Sequence, residues 1–299
     1  MKNRMIEEEF EKLLEYGILT ENDHPADIIG NSYDYQGWSE LFWRRRGSQA
    51  DRPDPEIDFI VESKPKTILE IGCAYGRFTK KLLERLENPD DTTVKGIELN
   101  STFGKYKELF EKENPILKKA KFYYEDVLEA EKVFKEEKFD VVVIPMNTFP
   151  NFTLEFIEKL LPMIRNLLNK ESGQCIFSTP ATDPNNPRIA KYLEKDNYSA
   201  EILVGKNKKT LTSLYYSFPA KKTEYGLTAV NYSIVYEQDR EMRPERKNIS
   251  RSVNDTIFPE YLETLIKEKG FVINYRKDLE LNYRGINYKN RIYSISPCN

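Results

Sequence analysis

Between Lys66 and Pro180, short β-branched apolar runs alternate with amphipathic helical stretches, and this alternation leaves few folds open. Residues 67–74 (TILEIGCA) read as a strand, followed by a helical segment that places Phe78, Leu82, Leu83 and Leu86 on one face. Residues 94–99 (VKGIEL), 121–127 (KFYYEDV), 139–146 (FDVVVIPM) and 174–180 (QCIFSTP) read as four further strands. Residues 139–146 are nearly continuous in apolar side chains, as a strand buried on both faces requires. Strands joined by helix-length crossovers pair in parallel and carry helices on both faces of the sheet. The predicted class is therefore α/β, with a doubly wound, mostly parallel sheet. Before the fifth strand, Leu154, Ile157, Leu161, Ile164 and Leu168 form a helical stripe. Pro162 within it is expected to kink that helix or to end its first part.

The flanks follow other rhythms. Ile6, Phe10, Leu13 and Leu14 recur at helical spacing before Gly17, and an irregular aromatic and basic stretch then runs to about Pro55. Trp38, Phe42 and Trp43 there fit either a helix face packed on the main domain or a lid over a ligand pocket. Beyond Pro180 the segments SLYYSFPA and LTAVNYSIVYEQ read as antiparallel strands around the turn region KKTEYG. A helix from Pro259 to Gly270 and two last strands, FVINYR and RIYSIS, return to the core and bring its sheet to seven strands. Four segments are predicted: an N-terminal helical and aromatic lid (1–60), the alternating core (61–180), an inserted antiparallel β cap (181–250) and a completing helix and strands (251–299).

Composition narrows the chemistry. With 46 basic and 49 acidic residues the net charge is −3, which offers no general attraction to nucleic acid. No apolar run reaches the roughly 20 residues that cross a bilayer, and MKNRMIEEEF lacks the apolar centre of a signal peptide, so a soluble cytoplasmic protein is expected. Cys73, Cys175 and Cys298 form no C-x-x-C pair, and His24 is the single histidine. A disulfide framework, most zinc sites and Ser-His-Asp hydrolysis are thereby disfavoured, and no metal is expected. The sequons at Asn151, Asn231 and Asn248 have no secretory context.

The residues most suggestive of chemistry lie where the first core strand ends: Glu70-Ile71-Gly72-Cys73-Ala74-Tyr75-Gly76. Glycines there permit a tight turn and close approach of a ligand to the backbone. The spacing departs from the dinucleotide fingerprint G-x-G-x-x-G, and no Lys-Ser/Thr follows to build a phosphate loop. Glu70 before the turn repels phosphate and favours a cationic group. Glu98 closes the second strand, placed to accept hydrogen bonds from a ribose. Either Glu98 or Asp126 alone reads as a solvated strand end. Together with the glycine turn they mark one edge of the sheet, where open α/β folds bind ligands.

These motifs resemble the class I S-adenosylmethionine-dependent methyltransferases, whose Rossmann-like fold agrees with the alternation over residues 60–180 and the C-terminal elements. The resemblance implies that Glu70, Gly72, Cys73, Ala74 and Gly76 hold the methionine part of S-adenosylmethionine, with Ala74 in place of the family's usual middle glycine. It implies that Glu98, with Leu99, binds the ribose, and that Asp126, with Val127, contacts the adenine. The sequence Pro145-Met146-Asn147-Thr148-Phe149-Pro150 is similar to the pocket loop of the small-molecule group that includes glycine N-methyltransferase. It lacks the N/D-P-P-Y sequence of methyltransferases acting on exocyclic amines of nucleic acid bases. By that likeness Pro145 borders the cofactor and Asn147 touches the acceptor, although Asn147 reads equally as a helix-capping turn residue.

A sulfonium methyl is already activated, so the protein must chiefly align donor and acceptor and exclude water. A hydroxyl acceptor generally needs a base, and His24 lies outside the core, which favours nitrogen over oxygen. Tyr33 and Asn147 are the catalytic candidates, and Asn147, Tyr215 and Tyr232 the acceptor contacts, with Tyr216 as a further lining residue; the cap tyrosines also fit simple strand propensity. Arg44-Arg45-Arg46 reads as solvated surface or as a binder of carboxylate or phosphate. The expectation is transfer of methyl to a small-molecule acceptor, with no nucleic acid partner, no membrane association and a homodimer as the oligomer to test. Methylation of RNA or protein, a silent nucleoside-binding protein of the same fold and an NAD-dependent oxidoreductase are the alternatives.

Overall fold

The computed structural model describes residues 2–29, 38–44, 46–49, 52–145, 148–181, 197–204, 209–218, 220–239, 245–283 and 286–298. An N-terminal arm carries α1 (Lys2–Glu15), the short strand β1 (Ile28–Ile29), α2 (Trp38–Arg44) and α3 (Arg46–Gln49). The core then begins earlier than residue 61, with α4 (Glu56–Ser63), because Ile57 and Ile60 are buried in the same cluster as Ile68 and Val141 of the sheet. It continues through β2 (Thr67–Ile71), α5 (Arg77–Arg85), β3 (Thr93–Ile97), α6 (Phe103–Glu113), β4 (Ala120–Tyr123), α7 (Ala130–Phe134), β5 (Val141–Ile144), α8 (Leu154–Leu167) and β6 (Gln174–Pro180). The cap contributes β7 (Asn197–Val204), β8 (Lys209–Ser217), β9 (Lys221–Lys222), β10 (Gly226–Asp239) and β11 (Glu245–Ile257), after which α9 (Pro259–Glu268), β12 (Phe271–Tyr283) and β13 (Ile286–Pro297) return to the core.

The core sheet has seven strands in the order β12-β13-β6-β5-β2-β3-β4. Strands β2 to β6 pair in parallel, and β13 runs antiparallel to both of its neighbours. This is the doubly wound, mostly parallel Rossmann-like sheet that the alternation predicts. All four residues of β5 are buried. The buried faces of α5 (Phe78, Leu82, Leu83) and α8 (Ile157, Leu160, Leu161, Ile164) cover opposite sides of the sheet, each side chain adding about 1.5–3 kcal/mol of burial. Pro162 neither ends α8 nor divides it. Its ring lies on the exposed side, where water can satisfy the carbonyl left without a donor.

Chain order reverses between β2 and β5: β3 and β4 extend the sheet to one side, β6 to the other. The crevice beyond the carboxyl ends of such strands is where open α/β sheets bind ligands.

The second sheet has the order β1-β11-β10-β8-β7, with β9 paired to β10. It extends beyond residue 250, since β11 runs unbroken to Ile257, and it recruits β1 from the arm in parallel with β11. Helix α1 covers one face of this sheet rather than the core: Phe10 and Leu13 pack with Tyr216, Tyr232, Ile234 and Ile249. Glu9 accepts two hydrogen bonds from Arg251, at 2.7 and 2.9 Å. The cap meets the core where Asp255 accepts from the backbone N–H of Leu154 at 2.8 Å, at the start of α8.

Candidate active site

After β2 the chain turns three times through left-handed backbone, at Gly72 (φ 79°), Ala74 (φ 46°) and Gly76 (φ 93°). The N–H groups of Gly72 and Cys73 donate to the Ile97 carbonyl at 2.8 and 3.3 Å, which pins the turn to the end of β3. A Cβ at Gly72 would stand 2.6 Å from Thr148 Cγ2, so the loops after β2 and β5 meet with no room for a side chain. Gly76 has a different task. It precedes α5 and packs its α-carbon under the Phe122 ring, away from the cavity wall. Ala74 adopts its left-handed conformation despite its Cβ, a cost of about 1–2 kcal/mol. Its N–H donates to Glu98 Oε2 at 3.0 Å, which holds it there.

Glu98 is 6% exposed, and its Oε1 accepts from the Asn100 N–H at 3.0 Å. Burial raises its pKa, against the pull of these backbone donors. Glu70 is buried at the end of β2 and accepts from the Thr79 hydroxyl. Burial pushes its pKa up to about 7, outweighing the Thr79 bond and the nearby Arg77. Arg77 is itself engaged, donating to both oxygens of Asp54 at 2.6 Å, while Lys81 adds a third contact at 2.9 Å. Burial alone would raise the Asp54 carboxyl, but these two cations together hold it below the usual carboxylate range. Asp126 follows β4, and its Oδ1 accepts from the Leu128 N–H at 2.9 Å.

These groups surround one cavity of about 460 Å³, within the roughly 300–1,000 Å³ of small-molecule pockets. Its wall includes Glu70, Gly72, Cys73, Ala74, Glu98, Leu99, Asp126, Val127 and Pro145. Leu99 stands 53% exposed at this wall, an apolar surface open to a planar ligand. Trp38 and Phe42 border the cavity from α2, while Trp43 stacks on Tyr106 at 5.6 Å and meets Tyr75 edge-on. The aromatic helix thus packs on the core and walls the pocket at once.

Other residues chosen from sequence lie elsewhere or outside the described set. Tyr232 is not at the cavity: it is fully buried under α1 and donates its hydroxyl to Glu9 at 2.8 Å. Tyr216 is buried in the same cluster. Tyr33 and Asn147 lie outside the described residues, as does the side chain of Tyr215 within β8. Arg44 pairs with Glu40 and Arg46 lies over the Trp43 ring at 3.9 Å; Arg45 is outside the described residues. His24 is exposed, its Nδ1 accepting from the Ala26 N–H. The wall contains Thr148, from the loop that the sequence likeness marks, and also Arg52, Arg77, Asn151, Phe152, Phe156 and Val253, which sequence reading did not select. Asn151 and Phe152 were within reach, since they follow β5 on the same ligand-binding edge. Arg52 and Val253 come from the arm and the cap, and only the tertiary fold brings them in.

The site suits a nucleoside that carries a cationic sulfur. Gly72 and its neighbours form a cradle that a Cβ would fill, Glu98 offers a buried carboxylate for paired hydroxyls, and Leu99 and Val127 offer apolar surface beside Asp126. The acidic residues at three successive strand ends would repel a phosphate.

Residues 68–171 match the family model of a methyltransferase domain. No curated protein matches the chain in sequence. Among solved structures, an S-adenosylmethionine-dependent methyltransferase from Clostridium acetobutylicum superposes with a TM-score of 0.59 at 15% identity, covering 89% of this chain and all of that one. The sugar N-methyltransferase KedS8 from Streptoalloteichus gives 0.57 at 14% identity, over 94% of this chain and 98% of that one. CalS10, an amino pentose methyltransferase from Micromonospora echinaspora with S-adenosylmethionine bound, gives 0.53 at 12% identity, over 85% and 95% of the two chains. At such identities these likenesses speak for the fold, and the family match adds the activity. Residues 68–171 thus match a methyltransferase domain, within a fold shared with S-adenosylmethionine-dependent methyltransferases.

Proposed function

We propose that the enzyme transfers methyl from S-adenosylmethionine to a nitrogen of a small polar acceptor lying between the β2–β5 edge and the cap. The observation that carries this reading is the division of one cavity into two kinds of wall. Glu70, Glu98 and Asp126 line the strand ends, whereas Trp38, Phe42, Phe152 and Phe156 enclose the space beside them. Bound there, the cofactor supplies a methyl group already activated by its sulfonium charge. Glu98 receives the ribose hydroxyls, Asp126 the adenine amino group, and Glu70 faces the cationic methionine part. The aromatic wall excludes water and fixes the acceptor in line with the transferring carbon. A neutral amine needs no strong base, in keeping with a cavity whose described wall contains no histidine. KedS8 and CalS10, which share the fold, are by name sugar methyltransferases, and this favours an amine-bearing sugar as the acceptor. Asn147 follows Pro145 by two residues in the wall-forming loop and is proposed as an acceptor contact, with Tyr33 and Tyr215 as further polar partners.

Thermal unfolding with S-adenosylmethionine, S-adenosylhomocysteine or NAD tests the cofactor, because a ligand at one hundred times its Kd stabilises by about 2.7 kcal/mol. Stabilisation by the first two and not by NAD is expected; the reverse pattern would refute the assignment. Formation of S-adenosylhomocysteine with matched amines and alcohols then decides nitrogen against oxygen.

A further inference from the structure

We propose that Ser39 of α2 is a positioning residue that ties the aromatic arm to the Glu98 carboxylate, so that docking of α2 and binding of S-adenosylmethionine strengthen one another; this rests on the methyl-transfer reading above. A run of polar groups connects the two. Ser39 is 1% exposed, and its hydroxyl lies 2.6 Å from that of Thr102, just before α6. Thr102 Oγ1 gives its own proton to Asn100 Oδ1 at 2.5 Å, so Ser39 is the donor in the first bond. Asn100 Oδ1 also accepts from the Thr102 N–H at 3.0 Å, and the Asn100 N–H donates to Glu98 Oε1. The other carboxylate oxygen receives the Ala74 N–H. Both oxygens are thus fixed by backbone donors, with lone pairs left for the ribose hydroxyls.

The same helix presses on both segments that hold this carboxylate. Trp38, Phe42 and Trp43 of α2 share one cluster with Ala74 and Tyr75 of the turn and with Phe103 of α6. Phe42 meets Phe103 edge-on at 5.9 Å, and Trp43 meets Tyr75 at 5.5 Å. Aromatic packing holds the helix down but is tolerant of small slides. A buried hydroxyl pair is not, because breaking it leaves a polar group unpaired. Displacement of α2 therefore frees Thr102, and with it the Asn100 side chain that shapes the chain beside Glu98. Conversely, a cofactor that engages Glu98 stiffens the segment on which Ser39 docks, since coupling between two sites is reciprocal. Trp38 and Phe42 also wall the cavity, so the bound cofactor brings the acceptor's side of the site into place.

The protein's two tryptophans, Trp38 and Trp43, both lie on α2, so quenching of indole fluorescence by acrylamide reports on that helix alone. Trp38→Phe serves as the background, leaving Trp43, packed on Tyr75 and Tyr106, as the reporter. Ser39→Ala, Thr102→Val and the double variant are compared there by quenching with and without S-adenosylhomocysteine, by calorimetric affinity for it and by Tm. S-adenosylhomocysteine should shield Trp43 in the background protein. Ser39→Ala should weaken its affinity by about three- to tenfold and reduce that shielding. Thr102→Val should do the same, the double variant no more than the worse single one, and Thr102→Ser should keep the background values. Thr102→Val carries the comparison if Ser39→Ala does not fold. Affinity and shielding that stay unchanged, whatever Tm does, would make the bond purely structural and overturn the proposal. Additive losses in the double variant, or a Trp43 that the ligand does not shield in the background protein, would overturn it too. A wild type that binds no S-adenosylhomocysteine at all would instead refute the methyl-transfer reading, and this proposal with it.

Discussion

Binding of S-adenosylmethionine near neutral pH should expel a proton, with Glu70 as its source. In the ligand-free protein the Glu70 pKa is pushed up to about 7 by burial, so at pH 6 about nine in ten molecules carry the proton. A cation placed beside the carboxyl favours its ionised form and draws the pKa back toward about 4.5. Linkage then gives a release of about 0.9 proton at pH 6, about 0.5 at pH 7 and about 0.1 at pH 8, with affinity about tenfold weaker at pH 6 than at pH 8. Calorimetry at pH 6.5 in phosphate and in a buffer of high ionisation enthalpy reads the proton count directly from the difference in apparent heats. Glu56 also titrates near 7, but it is buried against Ser178 and is absent from the cavity wall, so its proton stays in place. Glu98 also lines the cavity with its pKa raised by burial, so Glu70→Gln should lower the release and the Glu98→Gln variant serves as its control. No release from the wild type, or an equal release from Glu70→Gln, would show that Glu70 does not face the bound cation.

The remaining predictions concern stability and the turn. Because the pKa values of Glu56 and Glu70 are raised on folding from 4.5 to about 7, their contribution to stability is fully present below pH 4.5 and is lost as pH rises through 7; Tm of the ligand-free protein should fall from pH 5 to pH 8, and less in Glu70→Gln. Glu98→Ala should weaken binding of S-adenosylhomocysteine by about 1–3 kcal/mol and lower Tm, since it also leaves the Ala74 and Asn100 amides unpaired. Unchanged affinity in calorimetry would remove the ribose assignment. Gly72→Ala should abolish cofactor binding, because the new Cβ meets Thr148 at 2.6 Å on a left-handed backbone. Adding Thr148→Ser removes the crowding methyl and should restore part of the binding; identical behaviour of the single and double variants would assign the loss to backbone strain alone.

The core was legible because its signals are local. Hydrophobic runs such as Val141–Ile144 and the helical stripe of α5 fix their elements from neighbouring residues, and the acidic strand ends fall on one edge as soon as the strands are parallel. Gly76 shows the limit within the turn, since its spacing suits a ligand loop while its actual partner is the ring of Phe122 on β4. The cap was harder to read. Its alternation separates two faces but does not say which one meets the cavity, so Tyr232 fits either side until α1 is seen to cover it. Nor does sequence place β1 beside β11, a parallel pairing between segments 221 positions apart at Ile28 and Ile249. Pro162 marks a rule whose outcome depends on exposure, which periodicity on the buried side does not reveal.

The arm is synthesised early and satisfied late. Glu9 finds Arg251 only 242 residues further along the chain, and Val235, which receives Leu41, also lies deep in the cap. At translation rates of roughly 5–20 residues per second, α1 waits roughly 10–50 s for its partner while α2 carries Trp38, Leu41, Phe42 and Trp43 without their full cover. The features that seal the finished pocket therefore make the nascent chain sticky, and the yield of soluble enzyme should depend on expression temperature and on chaperones that hold apolar segments.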